Sequence, residues 1–68
     1  MERIELMEQW ENGNCDNAVY FANDKKITRK EYMDIRCHAV RVVAESAGSV
    51  DGIRRHYSIV EMAATPTH

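Results

Sequence analysis

The stretch from Thr28 to Gly48, TRKEYMDIRCHAVRVVAESAG, constrains this chain most, because both of its ends carry helix signals. The Thr28 hydroxyl is placed to accept a hydrogen bond from the Glu31 N–H, and the Glu31 carboxylate to accept one from the Thr28 N–H. Ile27 and Tyr32, on either side of this capping box, are spaced for a hydrophobic staple. Gly48 can adopt the left-handed conformation that ends a helix. The sequence therefore predicts one long central helix.

Around that helix, at about 100 degrees per residue, the polar side chains form one narrow stripe and the rest of the circumference is apolar. Arg36 interrupts the apolar arc. We expect it to reach solvent or to pair with a carboxylate from Glu5, Glu8, Asp16 or a second subunit, because an unpaired buried guanidinium is too costly to persist. The alternative is an anchor in a subunit or partner interface, where arginine is enriched. The width of the apolar arc itself favours a homodimer.

The other elements are predicted from the spacing of apolar residues. Residues 1–12 bring Ile4, Leu6, Met7 and Trp10 to one side of a first helix, in which Trp10 is either a core residue or an interface anchor. Residues 18–27 contain two β-prone runs around a turn, which indicates a short hairpin. Residues 50–64 follow a cap at Ser49 and indicate a closing helix. The predicted fold is α+β, in the order helix, short β-hairpin, long central helix, closing helix; an all-α three-helix domain is the alternative.

Length and composition limit the class of protein. The 68 residues leave room for a single small domain, 1–68, and 44% hydrophobic residues with one proline are too apolar for intrinsic disorder. No apolar run approaches the roughly 20 residues of a membrane helix, and the start, MERIELMEQ, lacks the pattern of a signal peptide. We therefore expect a cytoplasmic protein without a membrane segment, in which Cys15 and Cys37 are free thiols.

The net charge of -2 is unevenly distributed along the chain. Residues 1–24 carry a net charge of -5 and residues 25–57 one of +4. The two segments either attract each other, within the fold or across a dimer, or present a basic face to an acidic partner. The predicted closing helix mixes cations with apolar residues off its core stripe, as interfaces do. The candidate partner-binding residues are therefore Arg36 of the central helix and, from the closing helix, Arg54, Arg55, Ile59 and Met62.

The segment from Val43 to His56 resembles a DNA-binding helix-turn-helix, with small residues, a glycine turn and basic residues at the start of the second predicted helix. The resemblance is partial, because Ile53 follows Gly48 one residue too soon and Gly52 weakens the first turn. An acidic N-terminal segment and a pI near 5.8 also disfavour binding to phosphates. A DNA-binding transcriptional regulator is therefore the alternative function, and nucleic acid the less favoured partner.

Catalytic and metal-binding patterns are not found in the sequence. The cysteines and histidines show none of the paired spacings of zinc modules. Cys37 and His38, as helical neighbours, would point about 100 degrees apart, and the glycines form no phosphate-binding loop. We expect no cofactor, no metal and no enzymatic activity. The predicted function is that of a small regulatory or inhibitory protein that binds another, unidentified protein, a character common among accessory proteins of phages and mobile elements.

Overall fold

The computed structural model describes residues 2–11 and 14–63. In chain order its elements are β1 (Glu2–Glu11), β2 (Asn14–Ala22), β3 (Lys25–Ile27), α1 (Arg29–His38), β4 (Ala39–Val50) and β5 (Ile53–Met62). The five strands form one sheet in the order β3-β2-β1-β5-β4, and each neighbouring pair is antiparallel. Two hairpins, β2–β3 and β4–β5, therefore flank the central strand β1.

The predicted helix-rich α+β architecture is wrong, and so is the all-α alternative. The segments predicted as the first and closing helices are the adjacent strands β1 and β5, which pair from Glu2 opposite Met62 to Glu11 opposite Ile53. The predicted central helix stops at His38, and its second half is strand β4. Residues 1, 12 and 64, at the ends of the predicted first and closing helices, lie outside the described residues.

The start of α1 is confirmed. The Glu31 N–H donates to Thr28 Oγ1 and the Thr28 N–H to Glu31 Oε1, both at 3.1 Å, which completes the capping box. The helix ends much earlier than predicted, just before Val40, Val42 and Val43. These β-branched residues lose side-chain freedom in a helix and fit a strand better.

Two short turns explain the hairpins. Asn23 and Asp24 have φ angles of 50° and 67°, and Asp51 and Gly52 have φ angles of 54° and 78°. Positive φ at both central residues is the requirement of a type I′ turn, whose twist matches that of the two strands it joins. The hairpin predicted over residues 18–27 is present as β2–β3, whereas the Asp51–Gly52 turn replaces the predicted hinge between helices.

Helix α1 crosses one face of the sheet, because it follows β3 at one edge and leads into β4 at the other. Beneath it lies a small core of Leu6, Tyr20, Tyr32 and Val60, all nearly inaccessible. The rings of Tyr20 and Tyr32 pack with their centroids 4.8 Å apart. We call this side of the sheet the covered face. No helix of the described residues is long and apolar enough to cross a membrane.

The opposite side of the sheet we call the open face, because no described helix or strand packs against it. Side chains alternate between the two faces along each strand. Met7 therefore points away from the core that holds Leu6, and Ile59 away from the core that holds Val60. The cross-strand pairs of Met7 with Phe21 and with Tyr57 place those two rings on the open face as well.

Candidate protein-binding surfaces

The five residues predicted to bind a partner do not form one patch. Arg55 and Ile59 lie on the open face, four residues apart on β5. Arg54 and Met62 lie on the opposite, covered side, where they pair with residues of β1. Arg36 belongs to α1. In the predicted closing helix the four residues of this segment would have lain on one side. In a strand, successive side chains point to opposite faces, so Arg54 is separated from Arg55.

Arg36 is half-buried and contacts uncharged groups. Its Nη1 donates to Ser58 Oγ at 3.4 Å, and its guanidinium carbon lies 5.9 Å from the centroid of the Tyr32 ring. None of the ion pairs found among the described residues involves Arg36. Glu5, one expected partner, faces the other side of the sheet, and the side chain of Asp16 lies outside the description. The predicted carboxylate contact is thus replaced by a long hydrogen bond and a cation–π contact.

Tyr32 is the buried residue of α1, and it carries a polar atom into the core. The residue is 2% exposed, and its phenol oxygen has no hydrogen-bond partner among the described residues. Burial raises the pKa of the Tyr32 phenol, while Arg36 opposes that shift and the negative charge of Glu8 adds to it. A buried polar atom without a partner makes the fold less stable than it would be with one.

The centre of the open face is apolar. Phe21, Met7 and Tyr57 form one row across β2, β1 and β5, and Ile59 lies in the next row between Glu5 and Ala44. Tyr57 is 46% exposed, a large value for an aromatic side chain in the middle of a strand. Aromatic residues, methionine and arginine are enriched in protein interfaces. The open face therefore has the composition of a binding surface.

Charged residues border this apolar centre. At one end Glu61 receives hydrogen bonds from Arg41 and, at 3.3 Å, from Arg3. These arginines, Arg41 above all, lower the pKa of the Glu61 carboxyl. Toward the other end Arg55 donates to Gln9 Oε1 at 2.9 Å, a neutral partner that leaves the charge of the guanidinium uncompensated. A small depression of about 110 Å³ lies beside Arg55, where Gly48 carries no side chain.

An open groove of about 950 Å³ lies on the covered face beside α1. Its apolar walls come from Trp10, Tyr20, Ile27 and Met33, and Lys26 and Arg29 line the groove where β3 passes into the helix. Glu8 supplies a carboxylate. The groove exists because the helix of ten residues, about 15 Å long, crosses strands of up to 12 residues and covers only part of them.

One wall of the groove is a strand edge. Strand β3 pairs with β2 only at residues 20–22, so β2 has no neighbouring strand on its outer side at residues 17–19, within the described part of the chain. Ala18 and Val19 of this segment line the groove. An open strand edge presents backbone N–H and C=O groups that another extended segment can bind.

Sequence reasoning found part of these surfaces. It singled out Arg55 and Ile59 from their mixture of charge and apolar surface, and it treated Trp10 as a core residue or an interface anchor. The sequence patterns do not indicate Met7, Phe21 and Tyr57, because they predict helices for the first and closing segments, which are strands. The adjacent apolar pairs Leu6–Met7 and Ile59–Val60 were the available signal, since neighbours on a strand face opposite sides.

Within the described part of the chain, no group of three or more histidine, cysteine, aspartate and glutamate residues is arranged to hold a metal ion. Cys37 is an exposed free thiol on α1. The exposed imidazole of His38 bonds the backbone carbonyl of Asp34 through Nδ1 at 2.8 Å. His56 lies 3.0 Å from a Glu45 carboxylate oxygen.

No protein family, curated protein or solved structure matches this chain.

Proposed function

We propose that this chain is a non-enzymatic regulatory or inhibitory protein that binds another protein by taking an extended segment of it into the groove beside α1. The observation that carries the proposal is the open edge of β2 at residues 17–19, which runs along a groove with apolar walls. Strand addition at such an edge is a common mode of peptide recognition. Backbone hydrogen bonds then supply affinity, and side-chain pockets supply specificity.

The lining indicates the chemistry of the bound segment. Trp10, Ile27 and Met33 offer an apolar surface for one large aliphatic or aromatic side chain, and Met33 is 42% exposed without such a partner. Methionine adapts its shape to different apolar partners. Arg29 takes part in none of the ion pairs found among the described residues, whereas the side chain of Lys26 lies on the open face, opposite Phe21. We therefore expect a carboxylate next to the apolar anchor of the segment, on the side of the groove away from Glu8.

The alternative function, a DNA-binding regulator, loses its predicted helix-turn-helix, because residues 39–50 and 53–62 are strands. Arg54 and Arg55 now lie on opposite faces of the sheet, so they cannot contact one phosphate backbone together. Binding of DNA is kept as an outcome of the test below. We also propose a cytoplasmic location, which the exposed free thiol of Cys37 supports, since exposed thiols persist in reducing compartments.

The test is selection from a display library of short random peptides on the immobilised full-length protein. We expect enriched peptides with a large apolar residue next to an aspartate or glutamate. Met33→Lys should weaken their binding by roughly 2 kcal/mol, as loss of a central contact does. Tyr57→Lys, a similarly exposed side chain on the other face, serves as the matched control and should leave the affinity unchanged.

Three results would contradict the proposal. The first is that no peptide is enriched. The second is that the enriched peptides bind the wild type and Met33→Lys equally well. The third is that the protein binds duplex DNA with an affinity that falls steeply with salt, while peptides are not bound, which would favour the regulator instead.

A further inference from the structure

We infer that the open face is covered by a second copy of this chain, so that two sheets pack face to face and the α1 helices lie on the outside of a homodimer. The inference concerns the face opposite the groove and does not depend on the proposed peptide binding. In such a dimer the grooves of both copies would remain accessible.

The first support is the content of the core. Only Leu6, Tyr20, Tyr32 and Val60 are fully buried apolar residues among those described. A sheet with apolar residues on both faces needs a layer on each side, and α1 supplies one of them. The second layer must be present whenever the chain is folded. A second copy meets that condition because it is made together with the first, whereas a regulatory target is bound only part of the time.

The second support is area. The 44 residues of the five strands, at about 3.3 Å per residue along a strand and roughly 4.8 Å between strands, give the open face an area of roughly 700 Å². Five strands at this spacing span roughly 20 Å. This width agrees with the narrower dimensions of the molecule, which are 21 and 18 Å beside a length of 47 Å. A stable interface buries about 800 Å² per partner. One copy of the open face therefore offers nearly all the area that a stable dimer needs.

The third support is charge, which also selects the orientation. The orientation that fits the charges has a two-fold axis between the two sheets, perpendicular to the strands and passing through the row of Met7 and Tyr57. Each strand of the second copy then lies over the same strand of the first and runs in the opposite direction. This axis sets Arg3 of each copy over Glu11 of the other, and Ile59 over the depression beside Arg55. It also brings Arg55 within reach of Glu5 of the second copy. A two-fold axis parallel to the strands would instead place the Arg3 end of one copy opposite the Arg3 end of the other, which brings like charges together.

The first experiment is the molar mass of the full chain in solution, by light scattering, from micromolar to near-millimolar concentration. We expect twice the chain mass of 7.9 kDa. Tyr57→Lys should weaken the dimer by at least about a hundredfold, because it places two ammonium groups at the axis. Met33→Lys, with similar exposure on the other side of the molecule, should leave it intact. A wild type that stays monomeric throughout overturns the inference.

A charge exchange tests the orientation and does not rely on a variant that could fail to fold. R55E alone and E5R alone should each weaken the dimer by roughly tenfold, since each brings like charges together. Mixing the two variants should restore dimers of one R55E and one E5R copy, because both contacts between residues 5 and 55 then join opposite charges. A dimer that neither variant weakens, or that the mixture does not restore, would place the interface elsewhere, such as at the edge of β4, and overturn the inference. Peptide binding by these variants reports on the groove separately.

Discussion

The two faces of the sheet are built from the same strands and differ in what covers them. On the covered face Leu6 and Val60 are 1% and 0% exposed. Their chain neighbours Met7 and Ile59 point to the open face, which also carries the exposed ring of Tyr57. Both faces of the sheet therefore carry apolar side chains, but the chain's own helix covers only one face. The difference indicates that intrachain packing stabilises the covered face, while the stability of the open face depends on association.

The largest expected effect comes from the covered face. Leu6→Ala should lower the free energy of unfolding by about 3 kcal/mol, because it leaves a cavity under α1. This loss should be the same at every protein concentration, whereas the loss caused by Ile59→Ala on the open face should depend on concentration. Urea denaturation at two protein concentrations measures both variants. Equal, concentration-independent losses would remove the distinction between the faces.

A second variant tests the uncompensated polar atom of the covered face. Tyr32→Phe removes a buried phenol oxygen that has no hydrogen-bond partner among the described residues. We expect it to raise the stability by about 1 kcal/mol, since a desolvated group disappears and the ring packing on Tyr20 is kept. Guanidinium denaturation gives the value, with Tyr57→Phe as a control that should change little. A loss of stability would mean that the Tyr32 hydroxyl is satisfied.

The helix that covers the sheet depends on its first turn. Thr28→Ala removes the oxygen that accepts from the Glu31 N–H and should cost about 1 kcal/mol. Thr28→Ser keeps that acceptor and should cost much less. Thermal denaturation of both variants is the measurement. Equal melting temperatures for wild type and Thr28→Ala would show that the cap contributes nothing to the covered face.

The smallest expected effect concerns the charged end of the open face. Because Arg41 and Arg3 lower the pKa of the Glu61 carboxyl, its ion pairs contribute stability at pH values above about 4.3, the pKa of a glutamate in an unfolded chain. That stability is lost as the pH falls through the lower folded pKa. Stability measured between neutral and acidic pH should therefore decline less in Glu61→Gln than in the wild type. Glu2→Gln, which removes an exposed carboxylate at the same end of the sheet, is the control. Identical profiles for all three proteins would exclude a role for the Glu61 pairs.

The candidate surfaces were only partly predictable. Arg55 and Ile59 could be selected because an arginine beside exposed apolar residues is typical of interfaces. Arg54 and Met62 could not be separated from them without knowing that the segment is a strand. The groove was not predictable at all, since Trp10, Ile27 and Met33 meet only after α1 crosses the sheet. A site assembled from distant segments leaves no pattern within any one of them.

The sequence by itself determined the local features: the capping box at Thr28, the β2–β3 hairpin and, through the pair Asp51–Gly52, the β4–β5 turn. Each depends on interactions among a few neighbouring residues. Only the tertiary structure decided that α1 ends at His38 and that residues 2–11 form a strand. A segment such as ERIELMEQW satisfies helical and strand spacing over its short length. Its state is settled by backbone pairing with β5, some 50 residues away in the chain, which no local pattern records.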